Sequence, residues 1–225
     1  MTKAVVLSGS GRYQDRWHDF TATSIEVATV LETAGMVVAV RAFKPVGVRE
    51  VEQADLLVVN AGHGEYLESS DGPEQEWLEA FDAIRRYRER GGPILALHAA
   101  SNSLDGLDEW PRWLGGRWNR TTSMHPPIGW ATVHVADSGH PITEGLTDFT
   151  LYDERYSFLD VHEGSEVLLE HHLDGRDHPL VWAVKDDNGR TVYDALGHGI
   201  ESFGSSERVD LLRREARWLV GGHGR

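Results

Sequence analysis

Short apolar runs that alternate with helical patterns constrain this chain more than any other feature. Lys3-Ala-Val-Val-Leu-Ser8 is apolar almost throughout and closes in Gly9-Ser-Gly11. Such a run, stopped by a turn signal, suits a strand buried on both faces. Phe20, Val27, Leu31 and Ala34 then recur at helical spacing, with Gly35 as a C′ stop. Met36 to Phe43 and Ala54 to Asn60 are the next strand candidates, the second followed by Ala61-Gly-His-Gly64. Trp77, Phe81, Ile84 and Arg88 trace one helix face behind Pro73, with Ser70 or Asp71 as cap. Arginines load the C-terminal end of that helix, where cations meet the macrodipole. Gly91-Gly92 ends it, and Pro93 to Leu97 is the fourth strand. The order β-α-β-β-α-β points to a mainly parallel sheet covered by helices.

The second half changes character. Ser101 to Trp130 is irregular and rich in Trp, Gly and Pro. Ala131 to Ala136, Glu166 to His171 and Pro179 to Lys185 read as strands. Asp187-Asn-Gly189 is a hairpin turn leading into Arg190 to Leu196. A closing helix presents Val209, Leu212, Ala216 and Leu219 on one face. With no internal repeat or linker, the expectation is one α/β domain over residues 1–225, with a late antiparallel hairpin added to the parallel part.

Composition narrows the function classes. The chain has no cysteine and 12 histidines. That excludes a disulfide scaffold, a thiolate zinc site, an iron–sulfur cluster and a Cys nucleophile. A net charge of −14 argues against nucleic acid and anionic membranes as partners. No run approaches the roughly 20 apolar residues of a membrane span. Met1 to Leu7 reads as a first strand rather than a signal peptide, so a cytoplasmic location is expected.

Open α/β sheets bind ligands at the C-terminal ends of their strands. Four such ends offer histidine: the 9–18 loop with His18, the 60–64 loop with His63, His98, and the 196–201 loop with His198. His98 stands at a strand-to-helix elbow, where a nucleophile or base is well exposed. It reads equally well as a histidine that orients a loop. Glu201, three residues past His198, is a candidate to orient its ring. Tyr152-Asp-Glu-Arg-Tyr156 taken alone reads as a solvated turn. In a functional reading, Glu154 projects into the crevice as an acid or base. His125 is a ligand candidate and His140 is structural, each in a His-Pro pair. Ser101 reads as a helix cap. His171, His172 and His178 have no metal spacing and read as surface, with the first two on opposite faces. Neither a Walker motif nor a complete G-x-G-x-x-G is present.

Several of these pieces, in this order, resemble the ThuA-like (trehalose utilisation) family of the class I glutamine amidotransferase-like superfamily. They include His18-Asp-Phe20, Gly91-Gly-Pro-Ile-Leu-Ala-Leu-His98-Ala-Ala-Ser, Trp113-Leu-Gly-Gly116 and His125-Pro-Pro. They continue through Gly139-His-Pro-Ile-Thr-Glu-Gly-Leu146, Asp153-Glu-Arg-Tyr156, Pro179-Leu-Val-Trp182 and Gly189-Arg-Thr-Val-Tyr-Asp-Ala-Leu-Gly-His198. The resemblance implies a flavodoxin-like three-layer α/β/α sandwich. It places His98 where amidotransferases carry their Cys nucleophile, and His198 at their triad histidine. Without Cys, glutamine hydrolysis by a thiolate is excluded, so the likeness is one of fold.

The family's association with trehalose and 3-keto-sugars gives the first expectation, acid/base chemistry on a small carbohydrate. His98, His198 and Glu154 would be catalytic, and His18, His63, His125 and Trp182 would bind substrate. Trp17, Trp130 and Trp182 are available to stack on a pyranose ring. No cofactor is required by this reading. A second version holds a divalent metal on His63, His98, His198 and Glu154. A third is a non-catalytic sugar-binding or regulatory module. A homodimer is left open.

Overall fold

The computed structural model describes residues 1–64 and 71–221. Eleven strands are present among them: β1 (Lys3–Ser8), β2 (Val37–Ala42), β3 (Leu56–Asn60), β4 (Ile94–Leu97), β5 (Gly116–Arg117), β6 (Gly129–Val135), β7 (Phe149–Asp153), β8 (Asp160–Val161), β9 (Glu166–Leu173), β10 (Arg176–Asp186) and β11 (Gly189–Asp194). The α-helices are α1 (Phe20–Thr33), α2 (Pro45–Val48), α3 (Glu74–Glu89), α4 (Trp110–Leu114) and α5 (Ser206–Gly221). No helix among the described residues is long and apolar enough to cross a membrane.

Nine strands form one mixed sheet in the order β2-β1-β3-β4-β11-β10-β9-β6-β7. The contacts of β1 with β2 and β3, of β3 with β4 and of β4 with β11 are parallel. Those from β11 outward to β7 are antiparallel. The chain leaves β1 toward one edge and leaves β3 toward the other. Right-handed crossovers therefore put α1 and α3 on opposite faces. This is an α/β fold with a late antiparallel part, and the apolar residues of β1, β3 and β4 are buried because helices cover both faces.

Local chemistry sets the helix positions. The Asp19 side chain caps α1 by accepting from the Ala22 N–H. At the end of β3 the buried Asn60 amide donates to Thr23 Oγ1 and Ser24 Oγ, both at 2.9 Å, which ties α1 to the sheet. α5 lies beside α1, with Arg213 donating to Thr33 Oγ1. Asp71 does not cap α3. Its carboxylate binds Arg12, and its carbonyl accepts from Trp77 Nε1 at 2.8 Å. Ser70, the other cap candidate, lies outside the described residues.

Three sequence expectations change in the fold. β7 replaces the first part of the segment that read as a solvated turn, and Asp153 and Glu154 at its end are buried. Alternation in Phe149-Thr-Leu-Tyr-Asp153 is real, but the segment is short and its partners are distant. The irregular 101–130 stretch contains α4, which ends at Gly115 in the left-handed region (φ 74°). A side chain at Gly115 would collide with Val184 and Ser165 as well as strain the backbone.

The third change concerns His171 and His178, which are buried, while His172 faces solvent as expected. β9 is internal to the sheet, and the face that carries Leu169 and His171 is buried while His172 on the other face is exposed. His171 Nε2 lies 3.2 Å from the Tyr156 carbonyl, to which it donates, and 3.1 Å from Ser157 Oγ. Burial lowers its pKa to about 4, despite the hydrogen bond to Tyr156. Between the unfolded value of about 6.5 and that folded value, the unfolded chain binds the extra proton. Stability from neutral His171 is thus fully present above pH 6.5 and declines as pH falls toward 4. In urea titrations, the stability of wild type relative to His171→Gln is expected to drop by up to about 3 kcal/mol from pH 7 to pH 4. A difference that stays constant with pH would remove His171 as the source.

Candidate active site

The loop after β1 is built around Asp15. Its Oδ1 accepts from the N–H groups of Trp17 (2.9 Å) and His18 (3.0 Å), which closes a tight turn. The same carboxylate holds His18 Nδ1 at 2.8 Å. His18 is thereby fixed in orientation, and its Nε2 is buried without a hydrogen-bond partner. The close approach of this loop to the loop after β3 needs Gly62, where a Cβ would lie 2.7 Å from Asp15 Oδ2.

His98 begins the 3₁₀ turn after β4, with φ at 44°. A non-glycine residue in this region is strained, and the strain is sustained by contacts around it. Tyr193 Oη donates to the His98 carbonyl at 2.8 Å. His98 Nδ1 lies 2.6 Å from the Ala195 carbonyl, an acceptor, so Nδ1 carries the proton. Nε2 is left facing Glu154 Oε2 at 3.3 Å. Tyr156 stacks on the imidazole at 4.2 Å and seals it from above.

Two neighbouring carboxylates bring the end of β7 to the end of β11. Asp153 accepts from the N–H groups of Gly197 (2.8 Å) and His198 (3.1 Å) and from Ser202 Oγ (2.7 Å). Glu154 places Oε2 3.2 Å from His198 Nδ1 and Oε1 3.0 Å from His125 Nδ1. Burial pushes the Glu154 carboxyl up, but His198 and His98 outweigh it and hold the group well below the ordinary carboxylate range. Glu154 in turn raises His198, against the effect of burial. Burial lowers His18 and outweighs the opposing pull of Asp15. Glu201, the expected partner of His198, is exposed on the turn that follows. Asp153 fixes that loop instead, and Glu154 faces the ring.

His18, Glu154 and His198 line the floor of a cleft of about 490 Å³, and the buried His98 lies behind them against Glu154 and Tyr156. His125 stands on its wall, half-exposed, and Trp17 and Trp118 flank it. His63 also lines the cleft, but from the rim, where its Nδ1 lies 3.3 Å from Asp105 Oδ2. One donor atom each from His18, His98, Glu154 and His198 lies within 4.8 Å of the others, so among the described residues this is the set able to hold a metal ion. His18 takes the place that the sequence reading gave to His63, because Asp15 turns it inward.

Trp182 does not reach the cleft. It is fully buried on β10 and donates Nε1 to the Leu114 carbonyl at 2.8 Å. β10 is internal to the sheet, and consecutive residues Leu180 to Ala183 are all buried, so both of its faces are covered there. Trp130 is exposed on β6 beside Tyr152 and is not part of the cleft lining. Ser101 does not cap that turn; its Oγ lies 3.0 Å from Tyr193 Oη, to which it can donate. The buried His140 is structural and accepts from the Ile142 N–H at 3.2 Å. Sequence reasoning passed over Asp15, Asp153, Tyr156 and Trp118. The Asp15-x-x-His18 spacing is a readable turn signal. Asp153 had none, because its partners are 44 to 49 residues away.

A family model described as "ThuA: Trehalose utilisation" matches residues 3–219. No curated protein matches the chain significantly. Among solved structures, a protein described as ThuA-like from Parabacteroides merdae has a TM-score of 0.72 at 19% identity, covering 98% of this chain and 90% of that one. A second, from Bacteroides uniformis, has a TM-score of 0.70 at 19% identity, with 98% and 92% covered. A glutamine amidotransferase from Thermotoga maritima has a TM-score of 0.57 at 12% identity, with 97% and 98% covered. At these identities the likeness is one of fold.

Proposed function

Because the chain belongs to the ThuA (trehalose utilisation) family, we propose that it is an enzyme of small-carbohydrate breakdown that moves protons on a keto-sugar. The observation that carries this reading is the cluster of His18, His98, His198 and Glu154, three of which line one cleft flanked by Trp17 and Trp118 while His98 lies just behind them. Indole faces suit the apolar face of a pyranose ring, and the polar floor suits its oxygens.

In a 3-keto-glycoside, the carbon next to the ketone carries an acidic hydrogen. A base that takes this proton leaves an enolate, with the negative charge on the keto oxygen. The electron pair then returns to break the bond from the anomeric carbon to the leaving oxygen, which takes up a proton. The second sugar is released and an unsaturated keto-sugar remains. His125 suits the role of base. It is reachable from solvent, and Glu154 Oε1 at 3.0 Å from its Nδ1 orients the ring. The keto oxygen would lie toward the floor, where a fixed positive group in a dry site would act strongly on its charge.

The test is glucose release from 3-keto-trehalose. Wild type is expected to release it at a rate about 10²- to 10⁴-fold above His98→Asn. Asn is chosen because it tolerates the left-handed backbone at this position. Equal, slow release by both proteins would overturn the enzyme assignment. Sugar binding without turnover would then favour a binding module.

A further inference from the structure

The cleft floor contains an electrostatic conflict. His98 carries its proton on Nδ1, committed to the Ala195 carbonyl at 2.6 Å, so a bare Nε2 faces a carboxylate oxygen at 3.3 Å. His18 is committed in the same way through Nδ1 to Asp15, at 2.8 Å. His18 Nε2, His98 Nε2 and His198 Nδ1 are all buried, and none makes a hydrogen bond. The bare Nε2 atoms of His18 and His98 and the Glu154 carboxylate repel one another unless something positive lies between them.

We propose that His18, His98, His198 and Glu154 bind one divalent transition-metal ion. The spacing fits this role. Ligands about 2.05 Å from a tetrahedral ion lie about 3.3 Å from each other. Glu154 Oε2 is 3.3 Å from His98 Nε2 and 3.2 Å from His198 Nδ1. All four donors lie within 4.8 Å of one another, so small side-chain rotations complete the shell. Three imidazole nitrogens and one carboxylate oxygen suit Zn²⁺, Mn²⁺, Fe²⁺ or Ni²⁺ rather than the oxygen-seeking Ca²⁺ or Mg²⁺. The outer partners are also in place: a carboxylate behind His18 and a backbone carbonyl behind His98, as metal-bound histidines require. Asp15 is a positioning residue in this arrangement.

The inference deepens the proposed function. A cation at this site would give the charge on a keto oxygen its counterpart. It can nonetheless be tested without any sugar. Protein purified without a histidine tag is stripped with chelator. It is then dialysed separately against Zn²⁺, Mn²⁺, Co²⁺ and Ni²⁺, and metal content is measured by mass spectrometry. About one equivalent per chain of at least one ion is expected, with a higher melting temperature. The Co²⁺ form is expected to show visible d–d absorption. His18→Gln and Glu154→Gln are expected to retain their far-UV circular dichroism and lose the equivalent. Asp15→Asn is expected to weaken binding about 10- to 100-fold.

Less than about a tenth of an equivalent of every ion, with no thermal shift, would overturn the proposal. So would equal uptake by a folded His18→Gln/His198→Gln variant, because the metal would then sit elsewhere. Metal uptake without keto-sugar cleavage would sink the functional reading and leave this site standing. Cleavage by protein that takes up no metal would do the reverse.

Discussion

Glu154→Gln is expected to lower kcat/KM for 3-keto-trehalose cleavage by about 10²- to 10⁴-fold while the fold is kept. The side chain is nearly isosteric, so the packing of the cluster should survive. The chemistry should not, because one carboxylate serves three histidines. Its Oε2 lies 3.3 Å from His98 and 3.2 Å from His198, and its Oε1 lies 3.0 Å from His125. An amide has one acceptor oxygen and one donor NH2, so it cannot face all three as an acceptor. It also removes the negative charge that holds a cation, or a shared proton, on the floor. Steady-state kinetics beside a thermal melt provide the check. A variant within about tenfold of wild type would move the reaction away from this cluster.

The second large effect lies behind the site. Arg208 on α5, Asp194 at the end of β11 and Glu215 on α5 are fully buried together. Arg208 lies 2.8 Å from Asp194 Oδ2. Burial raises the Asp194 carboxyl, and Arg208 opposes that rise. Burial also raises Glu215 well above its ordinary value, reinforced by the Asp194 charge, which favours the neutral acid there. Arg208→Leu would leave the Asp194 charge buried without its partner. A loss of about 3–5 kcal/mol is expected, because an orphaned buried charge is far worse than a missing pair. For a chain this long, that lowers the melting temperature by roughly 10 °C. Calorimetry or urea unfolding measures it, and a change under about 1 kcal/mol would show that the group is not ionised as described. The effect should reach the cleft, since Asp194 Oδ1 accepts from the Leu196 N–H at 2.9 Å, two residues before His198.

The parallel half of the fold was legible because its information is local. Four apolar runs, each bounded by turn residues, coincide with β1 to β4 to within one or two residues at most ends. Their helices carry readable faces and stops. The antiparallel half was legible where it is long or ends in Asn-Gly, and illegible at β7. That segment has only five residues, and its role depends on bonds from Asp153 to the 197–202 turn.

The candidate site divides along the same line. Strand-end position singled out His18, His63, His98 and His198 from sequence. It did not decide which of them meet. Likewise, the sequence reading offered Trp182 as a stacking face for a sugar, and the sheet put it in the core. The sequence alone determined an α/β chain of this family's type, without cysteine chemistry and with imidazoles at several strand ends. Only the tertiary structure decided that His18, His98, His198 and Glu154 share one point and that His63 stays at the rim. The physical reason is range. Strand and helix signals act between near neighbours, whereas a shared floor is set by carboxylates and carbonyls that hold each ring from elsewhere in the fold, most of them far away in the chain.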